Sequence, residues 1–174
     1  MGLQPALWAS PIVFHPIFQR QETIMSHNVV SILKDLIKTC SDGEKGFHNG
    51  SQDARDPELK DALAQCAREC TVAVSELQRC AAAYGATPEH EGTISGAIQR
   101  GWAELKTSMS SNKDLAILQA CERGEAMAEK AYRQALEKDL PTDARAIVER
   151  QLQSVMKSHE QIKAMRDARI AVKQ

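Results

Sequence analysis

Aromatic side chains are scarce in this sequence, at 4% of residues, and neither sign of charge predominates. Lys and Arg number 22 against 23 Asp and Glu, for a net charge of −1. That leaves no basic excess to neutralise phosphates, which argues against nucleic acid as the main partner. No uninterrupted apolar run approaches the roughly 20 residues of a membrane-spanning helix, so no membrane partner is expected. No CxxC pair occurs among Cys40, Cys66, Cys70, Cys80 and Cys121, and their number is odd. Each falls at a core-facing helical position, where a free thiol behaves as a small hydrophobe. A disulfide framework is therefore not expected, and a reducing, cytoplasmic setting is. Phosphate loops, nucleophile elbows and dinucleotide fingerprints are also absent.

What is present is helix-forming. Ala, Leu, Gln, Glu and Lys dominate a chain of 174 residues, long enough for one domain with a sizeable core. The first 25 residues stand apart. They hold Pro5, Pro11 and Pro16, three of the six prolines, and their apolar stretch lacks a basic leader. Residues 1–25 are read as a disordered or non-native extension, and residues 26–174 as the domain.

From Ser26 the apolar period is helical. Val30, Leu33, Ile37, Cys40, Phe47 and Ala54 step by threes and fours, with Glu44 on the same stripe. Asp56-Pro57 breaks the pattern and starts a second helix, Asp56 as its cap and Pro57 in its first turn. Leu59, Leu63, Cys66, Cys70, Ala73, Leu77, Cys80 and Tyr84 then form a strict seam of alternating fours and threes, and Gly85 ends it.

Residues 86–111 carry a short amphipathic helix of Ile94, Ala97, Ile98, Trp102, Leu105 and Met109, with Thr93 as its cap. Gly96 and Gly101 in it suggest close approach to the main helices, with Trp102 as anchor and Arg100 toward solvent. A third helix runs from about Asn112 to Asp139, with Leu115, Leu118, Cys121, Ala128, Tyr132 and Leu136 inward. After Leu140-Pro141-Thr142 a fourth carries Ile147, Val148, Leu152, Val155, Ile162 and Met165. It ends on Arg166, Arg169 and Lys173, which suit the helix dipole. Two tight hairpins joined by one long crossover make an all-α, antiparallel four-helix bundle of ferritin-like connectivity, with a short helix in the crossover between helices 2 and 3.

Six blocks of the chain resemble one bacterial family: DGEKGF (Asp42 to Phe47), RDPELK (Arg55 to Lys60), SEL (Ser75 to Leu77), SGAIQRGW (Ser95 to Trp102), CERGE (Cys121 to Glu125) and EKDLP (Glu137 to Pro141). The chain is similar over about Val29 to Ala168 to the family known as domain of unknown function 2383, assigned to the ferritin-like superfamily. The resemblance implies a ferritin-like fold without a settled activity. The family's pattern commonly has a His where this chain has Gln99.

Ferritin-like di-iron sites use one Glu from each of two helices and a Glu-x-x-His from each of the other two. Carboxylates can bridge two cations, and imidazoles complete their coordination. The inward candidates here are Glu44, Glu122, Glu125 and His159. Glu44 lies about 40° from the centre of its apolar stripe at 3.6 residues per turn. Counting antiparallel pairs about Pro141 sets Glu122 level with His159, and Glu125 with Val155 or Met156. Counting about Asp56 sets Glu44 near Cys66 and Cys70, with Cys40 opposite them.

No Glu-x-x-His occurs anywhere in the chain, so the ligand set is incomplete. The plainer reading is that these carboxylates pair with His159, a basic side chain or water, because an unpaired buried carboxylate costs several kcal/mol. The expectation is thus a non-catalytic bundle without a cofactor, acting through protein association in bacterial stress or stationary-phase physiology. A homodimer is expected by analogy with ferritin-like bundles. The alternative is a metal-carboxylate protein that binds or oxidises iron or another divalent metal through Glu44, Glu122, Glu125 and His159.

Overall fold

A computed structural model describes residues 16–87, 100–103 and 112–171, with side chains from Ser26 onward. Its main helices are α1 (Pro16–Asp53), α2 (Pro57–Ala83), α3 (Lys113–Leu136) and α4 (Thr142–Ala171). The expected all-helical bundle is what the described residues form. α1 is already helical at Pro16, so residues 16–25 of the expected extension are helical backbone. A proline in the first turn loses no intrahelical hydrogen bond and has a helical φ built in. Thr93, Ile94, Gly96, Ala97, Ile98, Leu105, Met109 and Lys173 lie outside the described residues.

The helix ends follow local chemistry. Asp56 accepts from the Glu58 amide at 2.9 Å and Pro57 occupies the first turn of α2. Beyond the other end of α2, Gly85 takes φ +85°. The Ala86 and Gly85 amides reach back to the carbonyls of Ala81 and Ala82, each at 3.0 Å, which satisfies two of the last-turn carbonyls. Asn112 caps α3 through the Leu115 amide.

Cross-helix contacts set the directions. Cys40 meets Tyr132 while Lys113 meets Asp53, so α1 and α3 are antiparallel. Cys66 meets Ser158 while Tyr84 meets Asp143, so α2 and α4 are antiparallel as well. The order is up, down, down, up, and the chain between Ala83 and Lys113 must return along the length of the bundle. Helical residues Arg100 to Ala103 belong to that return. Within it Trp102 is buried and Arg100 exposed, both as expected.

Two expectations about glycine and stripe position change. The buried line of α1 is Val29, Leu33, Leu36, Cys40, Phe47, Gly50 and Ala54. Gly43, half-buried, stands one ordinary contact (3.5 Å) from Cys70 Sγ. Leu33, Cys40, Phe47 and Ala54 are buried as expected, but Val29 and Leu36 take the places of Val30 and Ile37. Two adjacent apolar residues leave periodicity no means of choosing between them. Glu44 is half-buried beside Gly43. Gly101, expected to permit close approach, has nothing within 4 Å of its Cβ position among the described residues. The close approaches are on α1 instead. A Cβ on Gly50 would stand 3.1 Å from Leu63, 3.2 Å from Ile117 and 3.3 Å from Trp102.

The core falls into two apolar clusters. One gathers Leu33, Leu36, Leu77, Tyr132, Val148 and Leu152, and the other Phe47, Leu59, Leu63, Trp102, Ile117 and Ile162. Between them, at mid-length, the interior turns polar. α1 with α2 and α3 with α4 pack tightly, whereas α2 and α4 touch much less. Among the described residues no helix is long and apolar enough to cross a membrane.

Candidate functional site

The polar layer is built from seam positions. On α4 the residues Val148, Gln151, Val155, Ser158 and Ile162 recur by threes and fours, so Gln151 and Ser158 face inward as their apolar neighbours do. On α3, Cys121, Glu125 and Tyr132 share the inner face, all buried.

One hydrogen-bond chain joins all four helices. Tyr132 (α3) donates to Gln151 Oε1 (α4) at 2.7 Å, so its single proton is committed there. The Cys40 thiol (α1) therefore donates to the Tyr132 oxygen, at 2.9 Å. Gln151 Nε2 donates to Glu76 Oε2 (α2) at 2.9 Å and to the Ala73 carbonyl at 3.3 Å. Arg150 closes the outer end on Glu76 at 3.1 Å. A second, shorter chain has Ser158 donating to Glu125 Oε1 at 2.9 Å, with the Cys66 thiol 3.5 Å from Ser158 Oγ.

Glu125 is 5% exposed, and its Oε2 is buried with no hydrogen-bond partner. Burial pushes its carboxyl up to about 7; Ser158 and His159 pull the other way, while Glu69 and Glu129 reinforce the rise. Burial also raises the thiols of Cys40 (to about 11), Cys66, Cys70 and Cys121. At neutral pH they are protonated and poor nucleophiles, as expected from inward faces without a cation.

The gap between α2 and α4 opens a cleft of about 330 Å³ onto this layer. Cys40, Cys66, Cys70, Glu125, Tyr132 and Ser158 form its inner part; Val72, Arg68, Glu69 and Arg150 stand at its lip. The thiol trio expected from pairing about Asp56 is thus brought to one place.

The four metal candidates are not gathered in the same way. Glu125 faces the cleft. Glu44 is half-buried on the flank of α1, near enough to Cys70 to help raise its thiol. Glu122 is held by Arg166. His159 Nδ1 lies 3.0 Å from Glu129 Oε2, and Arg133 holds the other oxygen of Glu129 at 2.7 Å. Among the described residues no group of three or more His, Cys, Asp or Glu is disposed to hold a metal ion.

The expected α3–α4 register is also off by nearly a turn: Glu125 meets Ser158 rather than Val155 or Met156. Side chains lean toward the N-terminus of their own helix. In an antiparallel pair, residues that touch are therefore each about one position further along than backbone counting gives. Gln151 and Ser158 escaped the sequence reading, although the 148-151-155-158-162 spacing carried the signal for both.

An all-helical bundle with a polar mid-layer and a lateral cleft is the class of protein these observations define. The family model described as "Domain of unknown function (DUF2383)" matches residues 28–138, and the chain belongs to that family. A search of curated proteins finds no match.

Proposed function

We propose that this chain is a non-catalytic, ferritin-like bundle that acts through association with another protein, a second copy of itself being the simplest partner. The observation carrying this reading is the pairing of its inner acids and bases. Glu122 is neutralised by Arg166, and Glu129 by both His159 and Arg133. The thiols are held protonated by burial. Groups so engaged position helices rather than transfer protons. The up-down-down-up order supports the ferritin-like description. Val72 and Met127, 59% and 73% exposed, offer apolar contact outside the core.

The metal-carboxylate reading has one observation in its favour: Glu125, whose buried Oε2 has no hydrogen-bond partner among the described residues, lines a cleft with thiols. Elemental analysis of protein purified from iron- and zinc-supplemented cells separates the two. The association reading expects no stoichiometric metal and a stability indifferent to chelator. One or more equivalents per chain, lost in Glu125→Ala, overturns it. Light scattering expects a dimer that Met127→Glu, outside the cleft, converts to monomer.

A further inference from the structure

Glu125 presents an unusual combination. It is only 5% exposed, yet its buried Oε2 has no hydrogen-bond partner among the described residues and the residue lines an open cleft. A buried carboxylate normally acquires a cation or several donors. Here Ser158 supplies one hydrogen bond, to Oε1. Arg150 is paired with Glu76 and the His159 ring is hydrogen-bonded to Glu129, while Arg68, exposed at the lip, bonds the side chain of Gln65 rather than Glu125. The other carboxylates acting on Glu125, Glu69 and Glu129, are of its own sign. The surroundings are otherwise apolar, with Val72, Ala73 and Val155 along the walls and the Cys70 thiol and Tyr132 ring deeper in.

We propose that the α2–α4 cleft is a binding site for a small organic amine, its ammonium group pairing with the Glu125 carboxylate and its apolar body lying between Cys70, Val72 and Val155. Each part of the ligand follows from a feature of the cleft. The free acceptor calls for a donor, and the uncompensated negative charge for a cationic one, since a charge-assisted hydrogen bond is about twice as strong as a neutral one. An anionic head is repelled by Glu125 and Glu69. The walls call for a hydrocarbon body. At about 330 Å³ the cleft stands near the bottom of the range for ligand pockets, roughly 300–1,000 Å³, which fits a molecule smaller than a nucleotide cofactor. The proposal is independent of the association reading, which is tested by oligomeric state.

Isothermal titration calorimetry on the full chain at pH 8 tests it with hexylamine, hexanol and hexanoate. Hexylamine should bind at least about tenfold more tightly than hexanol, the equivalent of one charge-assisted hydrogen bond, and hexanoate should not bind. Glu125→Gln should bring hexylamine down to the affinity of hexanol. Glu122→Gln, whose carboxylate is held by Arg166 away from the cleft, should change nothing. Val155→Trp fills the cleft while retaining Glu125 and should abolish amine binding; circular dichroism checks that both cleft variants keep their helix. If Glu125→Gln does not fold, Val155→Trp decides alone. No amine binding, equal binding of amine and alcohol, full affinity in Glu125→Gln or in Val155→Trp, or a stoichiometric metal ion that the amine cannot displace would each overturn the proposal.

Discussion

Glu125 is the residue whose environment has the clearest consequence for stability. Its carboxyl titrates near 4.5 when unfolded and near 7 in the bundle, because burial disfavours the charged form. Below about 4.5 it is protonated in both states and costs nothing. Between the two values the unfolded chain releases its proton first, so stability falls as pH rises. Above about 7 the full penalty applies, on the order of 3 kcal/mol at 1.36 kcal/mol per unit. Glu125→Gln keeps a polar group for Ser158 and removes the charge. Its melting temperature should exceed that of the unsubstituted protein at pH 8, with the gap closing by pH 4. A variant that melts lower at pH 8 would show that the carboxylate is compensated after all. This residue was legible in the sequence because a lone acid on a seam of apolar residues is conspicuous. Gln151 and Ser158 stood on an equally regular seam, but neutral polar residues do not break an apolar pattern as visibly.

At the scale of elements, the informative residues are those with least side chain. Gly50 sits where Leu63 of α2, Ile117 of α3 and Trp102 of the connection converge. Such crowding makes the α1 seam a channel for its neighbours rather than a ridge. Gly50→Leu should lower stability by about 3 kcal/mol or more in urea denaturation, beyond the usual 1–3 kcal/mol of overpacking, because three elements must shift together. Any net gain, from improved helix propensity, would mean that the site can expand. The helices themselves, and the capping by Asp56-Pro57 and Gly85, were readable from local sequence. The face of α1 was readable at Leu33, Cys40, Phe47 and Ala54 but not at Val29 and Leu36, which adjoin the equally apolar Val30 and Ile37.

For the whole molecule, the returning chain between Ala83 and Lys113 makes the bundle more than two independent hairpins. Asp114, in the first turn of α3, accepts from the backbone amides of Arg55 at 2.8 Å and Asp56 at 3.1 Å. It thereby ties the start of the second hairpin to the turn of the first, and Arg169 from the far end of α4 joins the same corner through Asp56. Asp114→Ala should cost about 1–2 kcal/mol, as the loss of a cap does. Thermal melts read the change, and a variant as stable as the parent would show the corner to be held by Arg169 alone.

Local rules sufficed for helices, caps and the paired α1–α2 register, because propensity, proline and glycine act within a few residues of themselves. The ring of acids and its partners depended on which side chains lean toward one another across α3 and α4. There Glu122 meets Arg166, seven residues beyond the expected His159, and Glu125 meets Ser158, two or three beyond the expected Val155 or Met156. Whether α2 and α4 close at mid-length or part to form a cleft depends on all four helices at once. Spacing along one chain carries no record of it, and only the tertiary structure decided it.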